Sequence, residues 1–242
     1  MPAGEFRFKR FTVRNRLSAM KVNTDGVLLG ASMTVSGKAA SLLDIGTGTG
    51  TIALMASQRM SSVSGKFMVT GIDIDPGSAA EAEENFRDSP WADSLQSVCS
   101  SLSLYASGHK DTETDHIFSN PPYYGGDLKS PDARRCNARH ADSLSWAEIV
   151  DFAEKSLSGH GHLSLILPAD QETMLTRYAA ARGLYPFRIL RIRTVTRKMP
   201  GRIVAEFSRV RTEVAFSMLT IQEAGAYTPE YRSLLHDFLT IF

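Results

Sequence analysis

The chain has 242 residues, of which 43% are hydrophobic, and this length and composition suit one α/β domain with modest additions. Its formal net charge is +1, so any affinity for nucleic acid must come from local basic patches. No apolar run is long enough to span a bilayer, and residues 1–11 lack the apolar core of a signal peptide. The two cysteines, Cys99 and Cys136, form neither a disulfide pattern nor a ligand pattern. We therefore expect a cytoplasmic protein with neither a membrane nor a metal as partner. The sequence does not determine the oligomeric state, and we favour a monomer.

The first predicted element is basic. Residues 6–24 contain no acid, and phenylalanines are interleaved there with lysines and arginines, which predicts a β-hairpin with one apolar and one basic face. The basic face is either an ordinary solvated face or a surface that contacts phosphates. A helix is predicted over residues 26–35, started by Thr24 and Asp25. We expect residues 1–36 to form an N-terminal extension and residues 37–242 to form the main domain. The basic residues of interest are Lys9, Arg10, Arg14, Arg16 and Lys21.

A glycine-rich turn follows the first buried strand, residues 41–45, and precedes a helix. Strand, glycine turn and helix form the context of a nucleotide site, because glycines permit close backbone approach and the helix start supplies free N–H groups. Thr51 stands where a dinucleotide fingerprint has its third glycine, and the lysine of a P-loop is absent. The candidate cofactor-binding residues are Asp44, Gly46, Thr47, Gly48 and Gly50.

Asp73 ends the second predicted strand, residues 66–72. An acid at this position can accept hydrogen bonds from both hydroxyls of a ribose, so Asp73, with Ile74 beside it, joins the candidate cofactor site. Asp75 is instead typical of a helix N-cap, with Pro76 at the first helical position. The alternative is that both acids serve only as caps.

Ser100 and Ser101 end the third predicted strand, residues 96–100, where the base edge of a ligand would lie. They complete the candidate cofactor site together with Asn120, which follows the fourth strand, residues 115–119. The carboxyl ends of neighbouring parallel strands share one edge of a sheet, and ligands bind there. We therefore expect the glycine turn, Asp73, the two serines and Asn120 to converge.

The fourth strand leads into Asn120, Pro121, Pro122 and Tyr123, our candidate catalytic residues. Both prolines lack an N–H and favour extended geometry in the preceding residue, so a stiff loop offers the Asn120 side-chain oxygen and nearby carbonyls as acceptors. Two acceptors and the flat face of Tyr123 suit a planar –NH2 group attached to a π-system. Catalysis would then rest on positioning and electrostatics. The alternative is an ordinary turn after a strand.

The remaining chain alternates predicted helices and strands. Residues 124–144 form a long polar segment with Arg134 and Arg135, which is predicted as a lid, a binding loop or a disordered segment. Ser145 and Glu148 form a capping box for a helix to residue 156. Further strands are predicted at 162–167, 185–193 and 203–219, the last in two stretches around 209–211, and further helices at 171–182 and 229–239. The turn before residue 203 is basic and contributes Arg193, Arg197 and Lys198.

The motif from Asp44 to Gly50, with Asp73 and the loop from Asn120 to Tyr123, resembles the class I S-adenosylmethionine-dependent methyltransferases that methylate amines. The resemblance implies a Rossmann-like α/β fold with a seven-stranded, mostly parallel sheet, one antiparallel strand and helices on both faces. It implies S-adenosylmethionine as the cofactor, with Asp73 on its ribose and the loop from Asn120 to Tyr123 holding the target amine. Gly46, Gly48 and Gly50 would lie against its methionine part.

A narrower resemblance covers nearly the whole chain. Residues 20–31 and the tail around residues 227–231 look like the bacterial tRNA1(Val) adenine-37 N6-methyltransferase family. This implies tRNA as the partner and the N6 amine of adenine 37 as the target. Asn23 departs from the glycine usual in that family, and Leu239 replaces a common aromatic residue. Ser100 and Ser101 stand where many methyltransferases carry an acid for the adenine amine of the cofactor.

The amine-binding loop and three basic stretches in a nearly neutral chain make an RNA adenine the leading substrate hypothesis. In folded RNA such a base must be splayed out to enter the pocket, where it is read on its amino edge. A protein glutamine amide also presents a planar –NH2, although those enzymes usually carry a larger helical N-terminal domain. DNA adenine would call for a separate target-recognition domain. A non-catalytic RNA-binding module remains as another class, and an NAD oxidoreductase does not suit the glycine spacing.

Overall fold

The computed structural model describes residues 4–18, 20–110, 112–122 and 144–242. Within these ranges a nine-stranded sheet carries helices on both faces and lies beside a two-stranded hairpin. The hairpin strands are β1 Glu5–Arg7 and β2 Thr12–Arg14. The sheet strands are β3 Ser41–Ile45, β4 Met68–Asp73, β5 Leu95–Cys99, β6 Thr114–Ser119, β7 Leu157–Pro168, β8 Tyr185–Val195, β9 Arg202–Ser208, β10 Ala215–Glu223 and β11 Ala226–Tyr227. The helices are α1 Thr24–Ser32, α2 Thr51–Met60, α3 Pro76–Arg87, α4 Leu102–Gly108, α5 Trp146–Ser156, α6 Glu172–Ala180 and α7 Pro229–Leu235.

The strand order shows which edge of the sheet is suited to ligand binding. The sheet runs β11-β10-β8-β9-β7-β6-β3-β4-β5, and β5, β4, β3, β6 and β7 are parallel neighbours. β4 lies on one side of β3 and β6 on the other, so the chain order switches direction at β3. A crevice beyond the carboxyl ends of such strands is the usual ligand site of this architecture.

The sheet is wider than the seven strands implied by the sequence resemblance. β10 extends it by pairing in parallel with β8, and β11 returns antiparallel beside β10. The return passes through Ala224 and Gly225, whose φ angles of 49° and 83° suit a two-residue hairpin turn. β9 is antiparallel to both of its neighbours, and the sequence resemblance implied one such strand. The expectation of a single antiparallel strand was wrong, because β11 is a second one.

Strand boundaries differ from the predicted ones where glycines obscure the pattern. β7 begins at Leu157 instead of residue 162, because Leu157 pairs with Thr114 before an irregularity in the ladder. Residues 203–219 divide into two strands as predicted, with the break over residues 209–214.

Helix boundaries are set by caps and by local packing. Asn23 caps α1 by accepting the Gly26 N–H at 2.8 Å, so the helix starts at Thr24. α1 ends at Ser32 and α7 at Leu235, both before their predicted ends. The capping box of α5 is present as predicted. No helix within the described ranges has both the length and the apolarity needed to cross a membrane.

Two hydrophobic layers hold the helices to the sheet. One contains side chains of α1, α2, α3 and α7, and the other contains side chains of α5 and α6. Phe8, Phe11 and Val13 are buried in the first layer, while Lys9 and Arg10 between them are exposed. The predicted apolar and basic faces of the hairpin are therefore present, and the hairpin packs on the main core. The domain boundary after residue 36 stays a prediction.

Candidate active site

A cavity of about 500 Å³ opens at the carboxyl edge of the sheet, where β3, β4, β5 and β6 end. Its opposite wall is formed by described residues before α1 and in its first turn, namely Ser18, Met20, Lys21, Val22, Asn23 and Gly26. The predicted convergence of the strand ends is confirmed. The candidate residues that line the cavity are Gly46, Thr47, Gly48, Asp73, Ile74, Ser100, Ser101, Asn120 and Pro122. Asp44, Gly50 and Pro121 are buried outside that lining. Tyr123 lies outside the described residues.

Positive φ angles shape the glycine turn between β3 and α2. Gly46, Gly48 and Gly50 have φ angles of 72°, 55° and 78°, a region that other residues rarely adopt. Gly46 and Thr47 both donate their N–H groups to the Ile72 carbonyl of β4 at 2.9 Å. The turn is thereby held against the neighbouring strand, with bare backbone facing the cavity.

Asp73 connects this turn to the end of β4. Its Oδ2 accepts the Gly48 N–H at 2.8 Å, and its Oδ1 accepts the Asp75 N–H at 2.9 Å. Each carboxylate oxygen has a further lone pair for an incoming hydroxyl. Burial raises the pKa of Asp73 above its ordinary value despite these hydrogen bonds. Asp75 caps α3 by accepting the Ser78 N–H at 2.8 Å, as predicted.

Asp44 is wholly buried behind the glycine turn. Its Oδ2 accepts a hydrogen bond from the Thr47 hydroxyl at 2.8 Å, and the Ala53 N–H also acts on the carboxyl group. Oδ1 makes no hydrogen bond of standard geometry with the described residues. Burial raises the pKa of Asp44 to about 7, and the Thr47 hydroxyl opposes that shift. A buried carboxyl group of this kind favours a positively charged ligand nearby, which would stabilise its ionised form.

Asn120 is 8% exposed and faces the segment that leads into α1. Its Nδ2 lies 3.4 Å from Asn23 Oδ1 and 3.9 Å from Met20 Sδ. The Ser119 hydroxyl donates to the Ile45 carbonyl at 2.6 Å, which joins the end of β6 to the end of β3. This link holds the start of the Asn-Pro-Pro loop beside the glycine turn.

Ser100 and Ser101 lie on the cavity wall, but their hydroxyls have local partners. The Ser100 hydroxyl donates to the Ser101 carbonyl at 3.0 Å, and Ser101 Oγ caps α4 by accepting the Leu104 N–H at 3.2 Å. Ile74 lines the same region and is 56% exposed. This end of the cavity therefore presents apolar surface and hydroxyl groups.

The sequence did not place the N-terminal segment over the cavity, and no candidate site residue was assigned to Ser18, Met20 or Asn23. Glu81 of α3 fixes the segment by accepting three backbone N–H groups, those of Arg16, Leu17 and Ser18. Glu81 is 2% exposed, and these hydrogen bonds lower its pKa although burial opposes them. The motif over residues 20–31 was the available signal, but its spacing does not show what it faces.

Most of the predicted basic residues have partners within the protein. Arg14 forms ion pairs with Glu84 and Asp88, and Arg16 pairs with Glu5. The remaining contacts are Lys9 to the His236 carbonyl, Lys21 to the Arg16 carbonyl, Arg10 over the Trp91 ring, and Arg193 to Thr220 and the Thr196 carbonyl. Arg134 and Arg135, with nearly all of the predicted lid, lie outside the described residues.

Arg197 and Lys198 differ from that group. Both are exposed in the turn over residues 196–201 between β8 and β9, and within the described ranges neither side chain has a hydrogen bond or ion pair. The turn lies at the carboxyl edge, where Arg202 Nε contacts Asp25 Oδ2 of α1 at 2.8 Å. The two cations are therefore on the same edge as the cavity.

Comparison with solved structures and curated sequences agrees with this geometry. A predicted O-methyltransferase from Agrobacterium tumefaciens superposes with a TM-score of 0.65 at 18% identity, covering 87% of this chain and 95% of that chain. Fold and site together define a class I S-adenosylmethionine-dependent methyltransferase. Residues 14–174 match the methyltransferase small domain family.

Two curated relatives identify the family within this class. Both are tRNA1(Val) (adenine(37)-N6)-methyltransferases. The one from Bacteroides fragilis is 38% identical over 96% of each chain, and the one from Trichodesmium erythraeum is 39% identical over 98% of each chain. The chain belongs to the tRNA1(Val) (adenine(37)-N6)-methyltransferase family.

The residues present fit S-adenosylmethionine, the cofactor of this class. The cofactor carries a positive sulfonium and a positive ammonium group, and Asp44 supplies a buried carboxyl with one oxygen that makes no hydrogen bond of standard geometry with the described residues. Gly46 and Gly48 leave room for close approach, and Asp73 faces the cavity with acceptor capacity for hydroxyl groups. The individual residue contacts remain predictions.

Proposed function

We propose that the protein methylates the N6 amine of adenine 37 in a valine tRNA, using S-adenosylmethionine. The observation that carries this proposal is the position of Asn120 on the wall of the cavity formed by the glycine turn and Asp73. The named activity of the relatives supplies the nucleotide and the tRNA species. We further propose that the enzyme acts in the cytoplasm as a monomer without a metal.

The chemistry requires an oriented amine. The lone pair of an adenine amino group is delocalised into the ring, so the nitrogen is a weak nucleophile. We assign the Asn120 side-chain oxygen and the Pro121 carbonyl as acceptors for its two N–H groups, which would place negative character on nitrogen. Tyr123 is assigned to stack on the base. When bound, S-adenosylmethionine supplies an activated methyl group on a positively charged sulfur.

The protein must also hold the cofactor in one orientation relative to the target amine. Asp73 is assigned to its ribose, and the glycine turn to its methionine part. The segment at Met20 and Asn23 closes the cavity opposite the glycine turn. The contribution of these residues is orientation, which can lower a barrier without a strong base. The proton released from nitrogen passes to water or to a weak acceptor.

Adenine must leave its stack to reach this cavity, so the enzyme needs contacts to the surrounding RNA. We propose that Arg197 and Lys198 contact phosphates, because they are exposed at the carboxyl edge of the sheet, where the cavity also opens, and lack protein partners in the described structure. Phosphate contacts of this kind make binding depend on salt concentration.

Transfer of labelled methyl groups to unmodified tRNA, followed by nucleoside analysis, tests the activity. We expect N6-methyladenosine at one site. The variant Asn120→Ala should lower turnover at least about 100-fold, while its dissociation constant for S-adenosylmethionine stays within about threefold of wild type. Near-normal turnover in Asn120→Ala would refute the assigned role. Cofactor binding without transfer to any tRNA would direct attention to protein glutamine.

The RNA contact needs its own matched variants. Arg197→Ala/Lys198→Ala should weaken tRNA binding and reduce the salt dependence by about one phosphate contact per removed cation. Lys38→Ala/Lys66→Ala is the control, because both lysines are exposed before β3 and β4, at the opposite edge of the sheet. An equal loss of tRNA affinity in both double variants would show that the overall positive charge of the protein, and not this turn, is responsible for RNA binding.

A further inference from the structure

Asn23 brings two functional parts of the protein together through one oxygen atom. Its Oδ1 accepts the Gly26 N–H at 2.8 Å, which caps α1, and it also lies 3.4 Å from Nδ2 of Asn120. A carbonyl oxygen has two lone pairs, so one Asn23 side chain can receive both donors. Asn23 is also part of the cavity wall.

The Asn23 side chain is itself held in place. Its Nδ2 donates to the Lys21 carbonyl at 3.1 Å, which determines which end of the amide faces Gly26 and Asn120. The backbone before it is fixed as well, since Val22 donates its N–H to the Asn15 side chain at 3.1 Å. Asn23 therefore presents its oxygen to Asn120 from an ordered wall.

The consequence concerns the orientation of Asn120. An amide has a donor end and an acceptor end, and the assigned role in methylation requires the acceptor end to meet the substrate amine. Because Asn23 Oδ1 can only accept, it selects the Nδ2 end of Asn120 and turns the Oδ1 end away from itself. A rotation of the Asn120 amide by half a turn would bring two oxygens together, which is unfavourable.

We propose that Asn23 is a positioning residue that fixes the amide orientation of the catalytic Asn120, an inference that rests on the proposed function. Asn23 itself transfers no proton and receives no methyl group. Its effect is to raise the fraction of enzyme in which Asn120 is ready to accept from the target amine, so it acts on turnover and not on cofactor affinity.

Two substitutions separate this role from helix capping. Serine and aspartate both cap helices about as well as asparagine. Asn23→Ser is too short to reach Asn120, whereas Asn23→Asp keeps an acceptor oxygen at the required length. Both variants lose the hydrogen bond to the Lys21 carbonyl, and Asn23→Asp also brings a second carboxylate oxygen towards that carbonyl, so the Tm is measured for both variants.

Asn23→Ser is expected to lower kcat about fivefold to tenfold, with the KM for S-adenosylmethionine and the Tm close to wild type. Asn23→Asp should retain kcat within about twofold. Equal kcat values in the two variants, whether both are high or both low, would overturn the proposal. Failure of the wild-type protein to methylate any tRNA would refute the proposed function separately.

A second measurement does not depend on turnover. The sequence contains five asparagines, so selective 15N labelling of asparagine gives few side-chain amide signals, and Asn120→Asp identifies the one from Asn120. In the absence of substrate, Asn23→Ser should shift this signal and speed its hydrogen exchange relative to wild type, and Asn23→Asp should keep its exchange slow. An unchanged Asn120 signal in Asn23→Ser would overturn the inference even if tRNA methylation failed.

Discussion

Replacing Asp44 by asparagine should make the stability of the protein less sensitive to pH. Asp44 is wholly buried, and burial raises its pKa from 3.8 to about 7. Between these two values the folded protein keeps a proton that the unfolded chain has lost. The stabilising effect of the protonated form is therefore complete below about pH 4 and is lost as the pH rises through about 7.

The size of the effect follows from the pKa shift. Each unit of pH between the two pKa values changes the free energy of unfolding by about 1.4 kcal/mol. From pH 5 to pH 7, wild type should lose about 2 kcal/mol relative to Asp44→Asn, because Asp44 in the folded protein is already about half ionised at pH 7, and the difference should then level off. His116 and His162, whose pKa values are lowered by burial, also respond to pH, but they do so in both proteins.

Urea unfolding from pH 5 to pH 8.5, without cofactor, measures this difference. The two free energies of unfolding should diverge as the pH rises, with Asp44→Asn becoming the more stable protein. Calorimetric titration at pH 8 should show at least about fivefold weaker binding of S-adenosylmethionine by the variant, because a buried negative charge has been removed. Parallel stability curves across this range would refute the reasoning about Asp44.

Two further substitutions test close packing and buried charge. Gly50→Ala should lower the free energy of unfolding by about 3 kcal/mol, because φ is +78° and the new Cβ would come within 2.9 Å of Phe86 Cζ. Glu206→Gln should cost about 3 kcal/mol, because this wholly buried carboxylate pairs with Arg188 at 2.7 Å and accepts the Thr34 N–H at 2.6 Å. Urea unfolding at pH 7 measures both.

Each of these variants has a matched control. Gly183→Ala introduces a side chain at a similar φ of +73°, where the new Cβ has no atom of the described residues within 4 Å apart from its chain neighbours, so it should cost about 1 kcal/mol. Glu172→Gln breaks a partly exposed pair with Arg191 and should cost less than about 1 kcal/mol. If the controls are as destabilising as the test variants, crowding at Gly50 and burial at Glu206 are not the causes.

Short-range patterns determined much of the candidate site from sequence. The strand, glycine turn and helix around Gly46, the cap at Asp75 and the loop at Asn120 depend on neighbouring residues and backbone geometry. Parallel strands in a single sheet bring such ends to one edge, so the meeting of Asp73 and Asn120 could be inferred without coordinates. The family resemblance added the cofactor and the tRNA substrate.

The partners of the basic residues and the pairing of the edge strands depend on long-range packing, which the sequence pattern does not show. The sequence of the basic stretches does not show that Arg14 and Arg16 pair with acids while Arg197 and Lys198 pair with none of the described acids, because ion pairs form between distant segments. The addition of β10 and β11 to the sheet likewise depends on edge pairing, for which periodicity gives no partner.

The sequence by itself determined the class of site, because its glycines, acids and prolines act through local backbone geometry. Only the tertiary structure decided that Asn23, remote in sequence, faces Asn120 at 3.4 Å. It also decided how strongly Asp44 is buried, and burial sets its pKa. Both properties depend on how separate segments pack together, since a contact between distant residues and the loss of water around a charge arise only in the folded chain.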